Sequence, residues 1–166
     1  MIKIKKTIKF MALMACSPLA LAEMNFLHVS DNITVQEFID EFNGEKQTCQ
    51  LSISNWNNGT TRLFIVATPG SEKLRLGGYV DSFPGSGLQL KIDDGRIYKY
   101  GSDLPGGEEQ ILPEIGYDFL DELSDSNEII VRVHPENQFV NTKTDRYSIP
   151  ESLKAVEVLK NCISID

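Results

Sequence analysis

Two cysteines, Cys49 and Cys162, constrain this chain more than any other feature. Cys162 lies in the segment Ser148 to Ser164, which reads as a closing helix. Leu153, Val156, Leu159 and Ile163 recur at helical spacing, and Ala155, Val158 and Cys162 widen the stripe. Ser148 stands three before Glu151, a capping-box spacing, with Pro150 in the first turn. Cys49 alternates with Leu51 and Ile53 in a segment of period two, near the start of an expected sheet. An even pair in an oxidising compartment reads as one disulfide. Closing so long a loop is worth roughly 4–5 kcal/mol as an upper figure. The alternative is two buried free thiols.

The compartment is argued from the first 22 residues. Lys3, Lys5, Lys6 and Lys9 precede an apolar run from Phe10, and Ala20-Leu21-Ala22 has the small-x-small cleavage pattern. We expect residues 1–22 to be a cleaved secretory signal and 23–166 one β-rich domain, periplasmic or secreted. The run is too short to span a bilayer, so no stable membrane insertion is expected. Leu13-Met14-Ala15-Cys16 offers a competing lipoprotein reading. Four of the 16 basic residues fall in the leader, so residues 23–166 carry twelve against 24 acidic ones. Such acidity disfavours nucleic acid and suits a basic protein partner.

The remainder reads as mainly β (α+β). Thr34 to Glu37 matches a capping box, and Val35, Phe38, Ile39 and Phe42 make a helical stripe that Gly44 would end. An N-terminal helix is therefore expected there. Period two then takes over, in Thr48–Asn55, Arg62–Thr68, Leu74–Val80, Leu88–Ile92, Arg96–Tyr100 and Ile129–Val133. Asn58-Gly59 and Asp94-Gly95 are hairpin signals. Phe83 to Gly87 reads as a loop, Pro113 to Leu123 as a helix and Arg146 to Ile149 as a brief edge strand. The expected architecture is an antiparallel β-sandwich or barrel-like sheet with an N-terminal and a C-terminal helix, tied by one disulfide.

No catalytic or cofactor motif stands out. There are two histidines, His28 and His134, and no Gly-x-Ser-x-Gly elbow. Asp93-Asp94 falls in a tight turn and Asp121-Glu122 on a helix surface. Asp118, Asp121, Asp125, Asn127 and Glu128 lack the EF-hand spacing. Two cysteines are half a zinc shell, so no metal and no cofactor is expected. The candidate partner-binding residues are aromatics and a hairpin tip: Trp56, Asn57, Asn58, Tyr79 and Tyr98. For Trp56 the competing role is cross-strand packing.

Gln47 to Ile53 around Cys49, the strand and turn Leu88 to Gly95, and Tyr147-Ser148-Ile149 leading to Ala155, Leu159 and Cys162 together resemble the invasion-associated locus B family of secreted bacterial proteins. Pro150-Glu151 stands where that family has a glycine, and no tryptophan precedes Cys49. The resemblance implies a β-sandwich-like periplasmic or secreted, virulence-associated protein with no general enzymatic activity. The leading expectation is a non-enzymatic binding or accessory protein acting through a protein surface. A second is a periplasmic immunity or inhibitor protein that neutralises a toxin or cell-wall hydrolase. A third is a hydrolase that depends on His134 or Asp93.

Overall fold

The computed structural model describes residues 23–55, 59–81, 83–101 and 114–164. Among these residues ten antiparallel strands form one open sheet. They are β1 (Glu23–Val29), β2 (Ile33–Ile39), β3 (Lys46–Ile53), β4 (Thr61–Ala67), β5 (Leu74–Val80), β6 (Phe83–Ile92), β7 (Ile97–Gly101), β8 (Glu114–Ile115), β9 (Glu128–Pro135) and β10 (Lys143–Ser148). Two helices complete it, α1 (Asp118–Ser124) and α2 (Ser152–Ile163). The path runs β1-β2-β3-β4-β5-β6-β9-β10, with β7 also on β6 and β8 also on β5.

The expected β-rich antiparallel fold is present, but as one continuous sheet. The reason lies in β6. Its first residues, Phe83 and Pro84, pair with Val80 and Tyr79 of β5. From Gly85 onward it pairs with β9, and from Gly87 with β7 on its other side. The register shifts between Gly85 and Gly87. The stretch Phe83–Gly87, expected as a loop, is thus the part of the strand that joins the two halves of the sheet. The halves then meet at Gly78 of β5. A Cβ there would lie 3.1 Å from Leu88 Cδ1 and 3.3 Å from Val133 Cγ2, so only a residue without a side chain fits without displacement.

Period two in the sequence produces the core directly. Leu51 and Ile53, Leu63 and Ile65, Leu76, Leu88 and Leu90, and Val131 and Val133 are all buried. Fully burying each such side chain is worth about 1.5–3 kcal/mol. The helix α2 lays Ala155, Val156, Leu159 and Cys162 onto β2 and β3, while α1 contributes Phe119, Leu120 and Leu123. Cys49 and Cys162 are bonded, with Cα atoms 6.2 Å apart. The Lys46 ammonium donates to the Cys162 carbonyl at 2.8 Å, a second tie between α2 and β3.

The N-terminal helix expected over 34–44 is instead the strand β2. Ile33 faces Ile53 and Val35 faces Leu51, so alternate residues enter the core. Three β-branched residues in succession, Ile33-Thr34-Val35, favour that extended form. The supposed stripe is scattered: Val35 is buried, whereas Phe42 is 73% exposed in the β2–β3 connection. Glu37 does not cap a helix; it accepts from Asn25 Nδ2 at 3.3 Å and lies 3.7 Å from Lys46 Nζ.

The second capping box also fails to form. Ser148 ends β10, and α2 begins at Ser152 with Glu151 at its N-cap and no side-chain cap. The Ser152 hydroxyl donates instead to the carbonyls of Ser124 and Ser126, at 3.1 and 2.7 Å, pinning α2 to the end of α1. The helix expected from Pro113 starts at Asp118, because Glu114 and Ile115 pair with Arg75 and Leu74 as β8. Among the described residues no helix is long and apolar enough to cross a membrane.

Candidate functional site

The β3–β4 hairpin carries most of the residues singled out above. Trp56, Asn57 and Asn58 lie outside the described residues. The base of the hairpin is described, and β10 holds it. Asp145 Oδ2 accepts the Thr60 N–H at 2.8 Å, the Thr60 hydroxyl at 3.0 Å and the Thr61 N–H at 2.6 Å. The Tyr147 hydroxyl donates to the Thr61 carbonyl at 2.6 Å and lies 2.9 Å from Thr61 Oγ1. Gly59 makes this approach possible, since a Cβ there would sit 2.7 Å from the Tyr147 hydroxyl.

This clasp shifts both titrating groups. Burial alone would raise the Asp145 carboxyl, but the hydrogen bonds from Thr61 and Thr60 outweigh it and hold the pKa below the usual value. Burial pushes the Tyr147 phenol up to about 12. Sequence reading missed the clasp. Its members are 84 to 86 positions apart, and no local pattern links Asp145 to Thr60.

Above the clasp lies an open cavity of about 300 Å³, bordered by Ser54, Asn55, Thr60, Arg62, Tyr79 and Asp81. Tyr79, one of the candidate residues, pairs with Arg62 across β4 and β5 and packs on Phe64 with ring centroids 5.3 Å apart. Tyr98, the other described candidate, belongs elsewhere. It lines a separate depression with Tyr100, Phe119 and Arg96. Its ring meets Phe119 edge-on at 5.5 Å, the Arg96 guanidinium sits 4.4 Å over it, and its hydroxyl donates to the Glu122 carboxylate. Burial, aided by that carboxylate, raises the Tyr98 pKa. The two tyrosines therefore do not form one patch.

The groups weighed for catalysis have structural partners. Asp93 accepts the N–H groups of Glu128 at 2.9 Å and Asn127 at 3.2 Å, so it fastens the β6–β7 turn to β9. Asp121 accepts from the Lys160 ammonium at 2.6 Å, linking α1 to α2. His134 Nδ1 lies 3.0 Å from the Thr142 hydroxyl. Among the described residues no three His, Cys, Asp or Glu side chains gather as a metal shell.

The strands at the two ends of the main path, β1 and β10, differ in character. β10 presents Lys143, Asp145 and Arg146 along its length, and Arg146 pairs with Glu128. Charged residues of this kind discourage a further strand. β1 carries no such guard between Glu23 and its end. Met24, Phe26, Leu27 and Val29 are 46%, 57%, 40% and 65% exposed. Acidic residues flank this apolar stretch: Glu23 at its start, Asp31 beyond its end, and Asp40, Glu41 and Glu45 in the connection that follows Ile39, the residue opposite Glu23.

No family model, curated protein or solved structure matches the chain. The resemblance to the invasion-associated locus B family therefore rests on the residues that carry it.

Proposed function

We propose that this protein is a non-enzymatic binding module that accepts an extended segment of a basic partner protein on the edge of β1. The contrast between the two edges carries the reading. An edge strand offers a row of unpaired N–H and C=O groups that only another strand satisfies fully. On β10 that row is guarded by charge, whereas on β1 it lies among exposed apolar side chains. Acidic residues at both ends favour a partner strand that is apolar at its centre and basic at its ends. The disulfide and the leader-like residues 1–22 support an exported setting, periplasmic or secreted. Kinship with the invasion-associated locus B proteins belongs to the same reading, as does a role in host interaction.

Cross-linking and peptide mapping from a periplasmic extract test it. Wild-type protein is expected to yield cross-links between residues 23–29 and a Lys- or Arg-flanked segment of one partner. A variant with Phe26→Lys and Leu27→Pro should lose them at unchanged α2 packing. Cross-links that persist in that variant, or that map to Tyr98, would refute the edge as the docking surface. The charge pattern favours one specialised form, an inhibitor of a basic enzyme. Were the partner a hydrolase, its turnover should stop on stoichiometric addition of this protein.

A further inference from the structure

The cavity over the β3–β4 hairpin base is separate from the β1 edge, and what it holds does not depend on the protein-binding reading. Among the described residues two non-glycine residues have positive φ, Asp81 at 47° and Asp93 at 44°. Both are aspartates in turns, where this residue tolerates the left-handed region. They differ in what their carboxylates do. That of Asp93 is spent on two backbone N–H groups. That of Asp81 has no hydrogen bond or ion pair among the described residues, and it borders the cavity. The turn that aims it there is fixed by the Asp81 N–H, which donates to the Thr60 carbonyl at 2.7 Å.

The same cavity is bordered by a donor, the half-buried Arg62 guanidinium, whose Nη2 lies 3.4 Å from Ser52 Oγ. Tyr79 supplies an aromatic side chain and Asn55, Ser54 and Thr60 supply amide and hydroxyl groups. The volume, about 300 Å³, is at the lower end of ligand sites, which run from about 300 to 1,000 Å³. Few ligand classes use such a set fully. A sugar ring does: vicinal hydroxyls both donate to a carboxylate and accept from a guanidinium, and the C–H face lies against an aromatic. A free amino acid would need its ammonium held by Asp81, but that carboxylate is exposed, where an ion pair gains little.

We propose that this cavity binds one sugar ring of a neutral glycan, with Asp81 and Arg62 on its hydroxyls and Tyr79 on its face. The test is backbone amide NMR of the disulfide-bonded protein, titrated with neutral trisaccharides (maltotriose, cellotriose, chitotriose, mannotriose), with glycine as the zwitterionic control. The expected result is a set of shifts centred on Thr60, Arg62, Tyr79 and Asp81 with at least one trisaccharide, at an affinity of about 1 mM, as a few exposed contacts give. Asp81→Gly suits the positive φ and should keep the fold while weakening binding at least tenfold; Tyr79→Leu should do likewise. Absence of shifts with all four sugars would overturn the proposal. So would binding that survives both substitutions, or glycine moving the same amides as strongly.

Discussion

Asp145→Ala isolates the clasp between β10 and the β3–β4 hairpin. The carboxylate receives four hydrogen bonds, from the Thr60 N–H, the Thr60 hydroxyl, the Thr61 N–H and, at 3.3 Å, the Tyr147 hydroxyl. Thr61 is buried, so its N–H would be left without an acceptor and without water. One such orphaned donor costs about 1–3 kcal/mol. Thr60 is only partly buried and can recover a water, so it adds less. The total expected is about 2–4 kcal/mol at neutral pH. Tyr147→Phe removes the hydrogen bonds of the phenol to Thr61 and the longer one to Asp145, and should cost about 1–2 kcal/mol. The pH dependence follows from the sign of the Asp145 shift. Its pKa is depressed on folding, so its contribution is present above the unfolded value, near 3.9, and is lost as pH falls through the folded value. Urea unfolding followed by circular dichroism, at neutral pH and at several points below pH 4, reads both effects. Asp145→Ala should be less stable at neutral pH and flatter in acid. A loss under 0.5 kcal/mol, or an acid slope equal to that of wild type, would refute the reasoning.

Three further outcomes follow from the same contacts. Intact-mass measurement should find the protein two hydrogens short of its reduced mass, and replacing Cys49 and Cys162 by Ala should lower stability by up to about 5 kcal/mol, the chain-entropy figure for a separation of 113 residues, read as a fall in Tm. Gly77→Ala places a Cβ 2.0 Å from Phe64 Cζ and should cost about 1–3 kcal/mol; Phe64→Ala in the same chain should make the pair less than additive in a double-mutant cycle. In an alkaline absorbance titration, one phenol should ionise near pH 12 and vanish in Tyr147→Phe; because that pKa is raised on folding, its stabilisation is complete below about pH 10 and is lost as pH rises through 12.

What could be read from the sequence was whatever local periodicity and tertiary placement agree upon. Leu51 and Ile53, Leu63 and Ile65, and Leu88 and Leu90 alternate in the chain and alternate between core and surface in the sheet. The pairing of Cys49 with Cys162 was legible too, since helical spacing puts Cys162 on the buried stripe of α2. The failures share one cause. Thr34 to Glu37 satisfies a local helix-start pattern, yet the energy of burying Ile33 and Val35 against Ile53 and Leu51 is not local. Ser148 likewise matched a cap and became the end of a strand. Of the residues proposed for partner binding, Tyr79 lies on the glycan cavity, and the groups that complete it, Arg62 and Asp81, lacked any motif.

The misread segment also changes which surface is free to act. Had residues 34–44 been a helix, β3 would be an edge and the helix could lie across it, leaving 23–29 as an incidental leader into the fold. As a strand, β2 pairs with β3 over its full length and hands the edge on to β1. That edge then falls on Met24 to Val29, a segment without Asp, Glu, Lys or Arg in which Met24, Phe26, Leu27 and Val29 are exposed. A sheet able to close into a barrel would have removed both edges. Here β6 turns the sheet back on itself while β1 and β10 stay apart in the strand order, so a charged path end at β10 and an apolar one at β1 occur in the same molecule. Docking at β1 and ligand binding over the hairpin base therefore call on different strands, and substitutions at Phe26 and at Asp81 should affect them independently.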